Sequence, residues 1–370
     1  MKSVAFVRAT GIFDDSRATK EIIALAQGGY RVCVLSWDRY GNAREKNRKV
    51  FGDFPNVRFF YFSARIPNGI GLRNLDKLLQ WNWWIRKTIE GLDGVDYIHI
   101  CNLDSGLFVG GCLKRKGAKL VYDIFDYYVD SHSIPAFLRS WVEKLETSLI
   151  NRADLCIICT EERMEQLEKS RPRKVCVIHN APDVPALEAV SQEQYDYSYC
   201  GSFGARRLLW EILSEYPSHA NFRFCFAGYG DYVEKCRELT QYSNFTFAGS
   251  IPYGEVLDIE AKSRVISAIY EPSIRNHRLC APNKFYEGLA LGKPIIVCRG
   301  TGIDRIVERE RCGVVISYSA EEFYAALDYL IRNPEECAQM GYRGRQLYLA
   351  EYAWSRMQKR LLRAYEEIGE

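Results

Sequence analysis

"APNKFYEGLALGKPIIVCRG", residues 281–300, contains the pattern that decides the fold. Pro282 suits the first turn of a helix, where its missing N–H costs nothing. Small and apolar residues follow at helical spacing and form a face that can lie closely on a sheet. Gly292 and Pro294 end the helix. The apolar run at 295–297 is typical of a buried strand, so the stretch predicts a helix that leads into a strand of a sheet.

The polar residues of this helix predict an anion site. Lys284 and Glu287 are three residues apart, so both side chains project from one side of the helix's first turns. A helix N-terminus favours an anion, and a lysine at the same place strengthens that preference. A carboxylate one turn further on is suited to accept hydrogen bonds from a pair of hydroxyl groups. Phosphate followed by diol is the layout of a nucleotide, so we expect a nucleotide site here.

Strand-like and helical segments alternate along both halves of the chain, which predicts an α/β fold with doubly wound parallel sheets. The stretch "APDVPALEAVSQEQ", residues 181–194, breaks this rhythm and predicts an interdomain linker. We therefore expect two Rossmann-like domains, at residues 1–185 and 195–350. Ligands of such sheets bind beyond the carboxyl ends of the strands, so the two domains are expected to face each other across a cleft.

Composition narrows the class of protein. The chain has 370 residues, 47% of them apolar and 26% charged, as in soluble enzymes of two domains. A net charge of +3 is too small to indicate nucleic-acid binding. The 13 cysteines fit reduced, buried thiols, including the C-x-x-C pair Cys156 and Cys159. We find no signal peptide or membrane-spanning run, and we expect a cytoplasmic protein. No G-x-G-x-x-G follows the first strand, which disfavours a nicotinamide dehydrogenase.

Several longer stretches then follow one another in a known order. They are "FDDSRATKEIIALAQGGYRVCVLSW", "KLVYDIFDYYVDS", "YCGSFG", "NFTFAGSIPYGEV", "APNKFYEGLALGKPIIV" and "YAWSRMQKRLLRAYEEI". Taken in this order, the stretches resemble those of GT-B glycosyltransferases over nearly the whole length of the chain. The resemblance is greatest to glycosyltransferase family 4. The resemblance implies an acceptor-side first domain and a donor-binding second domain. It also implies that residues 351–370 form a helix that crosses back to the first domain.

The resemblance assigns roles to the helix at residues 283–290. It implies that Glu287 holds the ribose hydroxyls of a nucleotide diphosphate sugar. Lys284 would bind the diphosphate as leaving group, and Asn283 stands at the same helix start. With a lysine, an arginine and the helix N-terminus on the diphosphate, we expect no metal ion and no other cofactor.

The sequence departs from the family pattern at two places in this domain. In "GSFGARR", Gly201 is followed by Ser202 where the family usually has an arginine, so Arg206 or Arg207 is expected to replace the missing charge. The family also commonly has a second glutamate eight residues before Glu287, and Leu279 stands there instead.

A third departure concerns the first domain. The histidine that the family often has after the fourth strand is replaced by Phe125. Asp123 and Asp126 lie beside it at a strand's carboxyl end, and Asp104 lies at another strand end. We expect Asp126 to contact the donor sugar or to activate the acceptor hydroxyl as a base. A helix cap or a structural carboxylate is the alternative.

The resemblance implies a hexosyltransferase-like enzyme of the retaining kind, active in the synthesis of bacterial surface polysaccharide or glycoconjugates. Its partners would be a nucleotide-sugar donor and a glycan or lipid-linked glycan acceptor. Two alternatives stay open. One is a non-hydrolysing nucleotide-sugar epimerase, and the other is a non-catalytic sugar-nucleotide-binding partner, to which Phe125 and Leu279 point.

The stretch "LRNLDKLLQWNWWIRKTIEGL", residues 72–92, predicts an amphipathic helix. One stripe should pack on the sheet: Leu75, Leu78, Leu79, Asn82, Ile85 and Ile89. Tryptophan and basic residues occupy other positions of the same stretch: Trp81, Trp83, Trp84, Arg73, Lys77, Arg86 and Lys87. Indole rings and cations together suit a headgroup boundary, so the first domain is expected to visit an anionic membrane at its inner face. A solvated helix face is the alternative.

Overall fold

The computed structural model describes residues 1–13, 15–65, 74–184 and 193–370. The chain forms two compact units, which are Met1–His179 with Met357–Glu370, and Asn180–Arg356. Arg73 and residues 185–192 of the predicted linker lie outside the described residues. Each unit contains one parallel sheet with helices between its strands.

The first unit has a seven-stranded sheet of order β3-β2-β1-β4-β5-β6-β7. Its strands are β1 (Ser3–Arg8), β2 (Arg31–Asp38), β3 (Val57–Ser63), β4 (Tyr97–Cys101), β5 (Lys119–Asp123), β6 (Leu155–Ile158) and β7 (Val175–Val177). Its helices are α1 (Ser16–Gln27), α2 (Ala43–Phe51), α3 (Leu75–Gly91), α4 (Val109–Lys116), α5 (Tyr128–Ser131) and α6 (Ala136–Arg152). The central strands are buried on both faces, which explains their nearly continuous apolar sequences.

The second unit has a six-stranded sheet of order β10-β9-β8-β11-β12-β13. Its strands are β8 (Tyr195–Phe203), β9 (Phe224–Gly230), β10 (Phe245–Gly249), β11 (Ser263–Ala268), β12 (Ile295–Cys298) and β13 (Gly313–Ile316). Its helices are α7 (Leu209–Glu215), α8 (Val233–Leu239), α9 (Tyr253–Ala261), α10 (Arg275–Arg278), α11 (Asn283–Ala290), α12 (Ile303–Glu310), α13 (Ala320–Arg332) and α14 (Pro334–Leu347). The last helix of the chain, α15, spans Trp354–Gly369.

Both sheets are doubly wound, as predicted. In each unit the first strand lies inside the sheet, and the strand order reverses beside it: at β1 in the first unit and at β8 in the second. Ligands of open α/β sheets bind beyond the carboxyl ends of the strands at such a reversal. The ends of β1, β4 and β5 in one sheet, and of β8 and β11 in the other, are therefore the places to look for chemistry.

The terminal helix α15 packs on the first unit through Tyr365, whose side chain is fully buried. The Tyr365 hydroxyl lies 2.6 Å from Nδ1 of His99 on β4, and the Tyr97 hydroxyl donates a hydrogen bond to the Tyr365 carbonyl at 3.2 Å. These contacts explain why the residues from Met357 onward belong to the first unit. The predicted return of the terminal helix is confirmed.

Helix α3 differs from the prediction in which face it buries. Leu75 and Leu79 are exposed, so the predicted stripe is wrong at both positions, while Trp81 is fully buried. The Trp81 ring lies 5.4 Å from Trp37 and 5.4 Å from Trp84. Burial of these large rings turns the helix so that the leucines on its flank face outward, because an indole buries more apolar surface than a leucine. The rest of the stripe is buried as expected: Leu78, Asn82, Ile85 and Ile89.

All the cysteines are free, and all except Cys280 are buried. Cys156 and Cys159 are core residues, which confirms the interpretation of the C-x-x-C pair.

Candidate active site

Helix α11 lies directly on the strand that follows it. It starts at Asn283 after Pro282, whose backbone is extended. A Cβ at Gly288 would lie 2.6 Å from Cγ1 of Ile295, so only a glycine allows this close approach. Gly292 has a left-handed backbone (φ 65°) and ends the turn before β12. The predicted helix and strand are confirmed, and all residues from Lys284 to Ala290 are buried.

The side chain of Lys284 is only 11% exposed. Its Nζ lies 4.8 Å from the centre of the Tyr199 ring and 4.0 Å from Oε1 of Glu260. Burial by itself lowers the pKa of Lys284, but the negative charges around it, Glu260 first, raise this pKa above its ordinary value. The ammonium group is therefore charged, and within the described ranges none of its three N–H donors has a hydrogen-bond acceptor.

Glu287 is buried one turn after Lys284. Its Oε1 accepts a hydrogen bond of 2.8 Å from the hydroxyl of Tyr253, the first residue of α9. Helix α9 therefore contacts both charged side chains of α11, with Tyr253 at Glu287 and Glu260 at Lys284.

Glu260 lies in the last turn of α9 and is fully buried. Neither of its carboxylate oxygens accepts a hydrogen bond from the described part of the chain. Burial, followed by the charge of Glu287, raises the pKa of Glu260, while Lys284 acts in the opposite direction. The pattern of the sequence gave no signal for this residue, because an acidic residue near the end of an amphipathic helix is normally solvated.

Of the two candidate arginines, the structure brings Arg207 to Lys284. Nη1 of Arg207 donates a hydrogen bond of 3.2 Å to the Tyr199 hydroxyl, and its guanidinium lies 5.1 Å from the Tyr270 ring. Tyr199 therefore contacts both cations, one at its ring and one at its hydroxyl. Arg206 is exposed, and its Nε lies 4.0 Å from a carboxylate oxygen of Glu271.

The other predicted donor-site residues lie at the ends of β8 and α11. Gly201 has φ 147°, and a Cβ there would lie 3.1 Å from Nζ of Lys284. The Ser202 carbonyl accepts a hydrogen bond of 3.1 Å from the Tyr199 hydroxyl. Asn283 is exposed at the first position of α11. Gly201 and Ser202 thus lie next to Lys284 or to the tyrosine that it faces.

In the first unit, Asp123 belongs to a buried ionic cluster at the end of β5. Arg17 donates hydrogen bonds to Oδ1 of Asp123 at 2.5 Å and to Oε1 of Glu21 at 3.0 Å. Nε2 of His99 lies 3.4 Å from Oδ2 of Asp123 and 3.7 Å from Oε2 of Glu21. Burial raises the pKa of Asp123 and lowers that of His99 to about 4. The cluster consists of a buried ion pair, a neutral imidazole and a second carboxyl group.

Asp126 and Asp104 lie near this cluster in the sequence but in different environments. The Asp126 side chain is 46% exposed, and its Oδ1 accepts a hydrogen bond of 3.2 Å from Arg163. Asp104 is buried and accepts a hydrogen bond of 3.2 Å from the Ser105 hydroxyl. Burial raises the pKa of Asp104, and the nearby Arg8 lowers it. Of the three predicted aspartates, Asp126 is the one that a substrate can reach without displacing a buried contact.

Comparison with solved structures identifies the architecture. Sucrose-phosphate synthase from Thermosynechococcus elongatus superposes with a TM-score of 0.73 at 15% identity, over 100% of this chain and 99% of that chain. Anabaena HepE, solved with UDP and glucose, gives a TM-score of 0.70 at 16% identity, over 99% of this chain and 100% of that chain. A mutant of S. aureus TarM, solved with UDP among other ligands, superposes with a TM-score of 0.69 at 11% identity. The match covers 99% of this chain and 100% of that chain. At these identities the likeness shows the fold.

Two family models match the sequence itself. Residues 17–181 match the model described as "Glycosyl transferase 4-like domain", and residues 206–363 match the one described as "Glycosyl transferase-like". The chain belongs to the GT-B glycosyltransferases. A comparison with curated proteins finds no significant match.

Phe125 occupies a charged environment in this glycosyltransferase. The guanidinium of Arg8 lies 4.1 Å from the centre of its ring, and that of Arg17 lies 4.6 Å from it. Two cations therefore contact the position where the family often has a histidine. Cation–π attraction stabilises this arrangement and favours an aromatic ring over a third basic group at this position.

Three potential metal ligands lie close together in the structure, although no pattern in the sequence groups them. Ligand atoms of His99, Cys101 and Asp123 lie within 4.8 Å of one another, and all three residues are buried. They come from neighbouring strands, so no spacing in the sequence reveals them. Arg17 already neutralises Asp123 at this place, so the glycosyltransferase has a cation there without a metal ion.

Among the described residues, no helix combines the length and the apolar character that a membrane crossing requires.

The buried cluster predicts how stability changes with pH. Burial, followed by the charge of Asp123, raises the pKa of Glu21 from its model-compound value of 4.5 to about 8. At this residue the folded state therefore binds more protons than the unfolded state between these values, so the contribution of Glu21 to stability is full below about pH 4.5 and is lost as pH rises towards 8. We expect Glu21→Gln to remove a slope of up to about 1.4 kcal/mol per pH unit. Urea unfolding of both proteins at several pH values measures it, and parallel slopes would contradict the assignment.

Proposed function

We propose that this glycosyltransferase moves a sugar from a nucleoside diphosphate sugar to a glycan acceptor, with the start of α11 as the diphosphate and ribose site. The observation that carries this proposal is the buried Lys284 ammonium one turn before Glu287, which is charged and has no hydrogen-bond acceptor in the part of the chain that the structure describes. HepE and TarM, solved with UDP, support a nucleotide donor.

The chemistry follows from where charge develops. As the bond between the anomeric carbon and the phosphate oxygen breaks, the departing diphosphate gains negative charge. Lys284 and the N-terminus of α11 supply positive charge there, and Arg207 is joined to Lys284 through Tyr199. These groups take the role that a divalent cation has elsewhere, so we propose that the reaction needs no metal ion.

Glu287 is suited to hold the ribose. One of its oxygens accepts from Tyr253, which fixes the carboxylate, and a carboxylate has lone pairs left for the 2′- and 3′-hydroxyls.

Replacing the two residues tests the site. We expect Glu287→Ala to weaken UDP binding by about 1 to 3 kcal/mol, the usual effect of losing a charged hydrogen-bond partner. Lys284→Ala should also lower kcat, because its interaction strengthens as the leaving group gains charge. Calorimetry with UDP, GDP and ADP, and turnover with the matching sugar nucleotides, measure both effects. Lys235 on α8, a half-buried lysine that pairs with Glu238, provides the control variant Lys235→Ala. Wild-type affinity and rate in both site variants would place the donor elsewhere.

Asp126 is our proposed contact to the donor sugar or base for the acceptor hydroxyl. Its exposure and its hydrogen bond to Arg163 support this role, because the arginine orients the carboxylate. Asp123 and Asp104 are proposed to shape the same strand edge from buried positions.

We expect Asp126→Asn to retain the fold and the UDP affinity while transfer falls at least about a hundredfold, the typical contribution of a positioned acid or base. Transfer is measured by mass spectrometry of the product, and UDP affinity by calorimetry. Asp328→Asn is a matched control, since Asp328 has a similarly exposed side chain (42%) and also pairs with an arginine, Arg332 on α13. Undiminished transfer by Asp126→Asn would assign that carboxylate to structure.

We further propose a family 4 type hexosyltransferase that retains anomeric configuration and acts in bacterial surface polysaccharide or glycoconjugate synthesis. Incubation with donor alone separates this proposal from the other two functions. Slow hydrolysis of the sugar nucleotide supports a transferase, an epimeric product supports an epimerase, and binding without any reaction supports a non-catalytic partner.

We also propose that the first unit binds an anionic membrane surface from the cytoplasmic side, with a lipid-linked glycan as acceptor. Three exposed apolar side chains, Leu75, Leu79 and Trp83, follow one another at intervals of four along α3. Lys87 continues the row, with its Nζ 5.5 Å from the Trp83 ring. Apolar side chains next to a cation suit the boundary between acyl chains and acidic headgroups.

Vesicle co-sedimentation tests this surface. We expect binding to vesicles that contain phosphatidylglycerol, weaker binding at high salt, and loss of most binding in Trp83→Ala/Lys87→Glu, because both apolar contact and charge attraction are removed. Tyr342→Ala removes an equally exposed aromatic ring from the second unit and is the control. Equal recovery of the wild type in the supernatant with anionic and neutral lipid would exclude a membrane surface.

A further inference from the structure

The burial of the Glu260 carboxylate destabilises the folded state. A buried carboxylate without hydrogen-bond donors destabilises a protein, because the group loses its hydration and gains little in return. Glu260 is fully buried, and both of its oxygens are without a hydrogen-bond partner in the described ranges. Folding alone would favour a glutamine or an apolar residue here. The acidic group therefore points to a use other than stability.

The position of Glu260 relative to Lys284 suggests that use. Their charged atoms are 4.0 Å apart, beyond the 2.7–3.2 Å of an N–H···O hydrogen bond but close enough for strong attraction in a buried site. A carboxylate in direct contact would occupy one or more of the lysine's N–H groups. At 4.0 Å Glu260 contributes its charge and leaves all three N–H groups unused.

The groups around Glu260 leave Lys284 as its partner. Helix α9 packs against β8, β11 and α11. Two residues of α11, Lys284 and Glu287, interact electrostatically with Glu260. Two residues of β8 also interact with it, Tyr197 and Cys200. On β11 the nearby Ser263 hydroxyl donates to the Ile259 carbonyl instead. Lys284 is the only cation among the groups that shift the protonation of Glu260 in the described chain.

We infer that Glu260 is a positioning residue of the donor site, which keeps the buried Lys284 ammonium charged and leaves its donors free for the diphosphate. The inference rests on the proposed function, because it explains why the Lys284 N–H groups have no acceptor among the described residues only if an anion binds there. Glu260 does not touch the donor in this scheme. Its effect on the reaction passes through Lys284.

The inference has a consequence for pH. Burial lowers the pKa of a lysine unless a negative charge compensates. In Glu260→Gln the ammonium should therefore lose its proton at a lower pH than in the wild type, and anion binding should weaken as pH rises through that value. Glu260→Asp restores the charge on a side chain shorter by one methylene group and should recover most of the wild-type behaviour.

The first measurement concerns Lys284 alone and needs no donor. Competitive labelling of the protein with acetic anhydride from pH 6.5 to 9.5, followed by mass spectrometry, reports the reactivity of the Lys284 amine. We expect Glu260→Gln to increase this reactivity at least about tenfold at pH 9, the effect of lowering the lysine pKa by about one unit. Asp258→Asn is the control, since it removes an exposed carboxylate from the same helix. Equal reactivity in the wild type and Glu260→Gln would overturn the inference.

The second measurement is UDP affinity over the same pH range. We expect Glu260→Gln to bind UDP within about threefold of the wild type at pH 6.5, and its affinity to fall by up to about tenfold per pH unit once the pH exceeds the Lys284 pKa that the labelling gives for this variant. A loss of the same size at every pH would indicate a structural role and would overturn the inference. Thermal unfolding completes the test, with a melting temperature of Glu260→Gln equal to or above that of the wild type. If the wild type binds no nucleoside diphosphate, the proposed function fails, while the labelling result still decides what Glu260 does to Lys284.

Discussion

The charge on Lys284 is the constraint on which the proposed donor site depends. An ammonium group that is mostly removed from water needs negative charge or π-electron density around it. Glu260, Glu287 and the Tyr199 ring supply these, and they come from α9, α11 and β8. None of these elements could provide the whole environment alone. The packing of two helices against the end of one central strand therefore creates a site that is charged before any ligand arrives.

Close backbone approach at the strand ends makes that packing possible. A Cβ at Gly228, at the end of β9, would lie 1.8 Å from the Gly201 carbonyl oxygen on β8, so a side chain there would clash with the neighbouring strand. Gly201 in turn leaves room for the Lys284 ammonium. Gly228 and Gly201 thus act together. Gly228 allows the two strands to meet, and Gly201 allows Lys284 to lie over their ends.

Buried charge has a different use in the first unit. Arg17 neutralises Asp123 and contacts Glu21, and His99 connects this cluster to Tyr365 of the terminal helix. Each of these residues has at least one hydrogen-bond partner within the same unit, so the cluster connects α1, β4, β5 and α15. One further atom of each of Glu21, His99 and Asp123 has no hydrogen-bond partner among the described residues. In the second unit the lysine has charge neighbours but no hydrogen-bond acceptor in the described residues. That contrast distinguishes a structural ionic cluster from a candidate binding site.

The succession of strands and helices along the chain and the helix at residues 283–290 followed from the sequence, because apolar periodicity and Gly-Pro signals are local. The strand order, and with it the reversal point of each sheet, came from the structure. The position of Lys284 and Glu287 on one side of that helix followed from their spacing. The choice of Arg207 over Arg206 did not, since adjacent residues differ only in the direction that the folded loop gives them. The burial of Glu260, the outward turn of Leu75 and Leu79, and the meeting of His99, Cys101 and Asp123 were also decided only by tertiary structure. Each depends on contacts between segments far apart in the chain, and these contacts determine which side of an element loses its water.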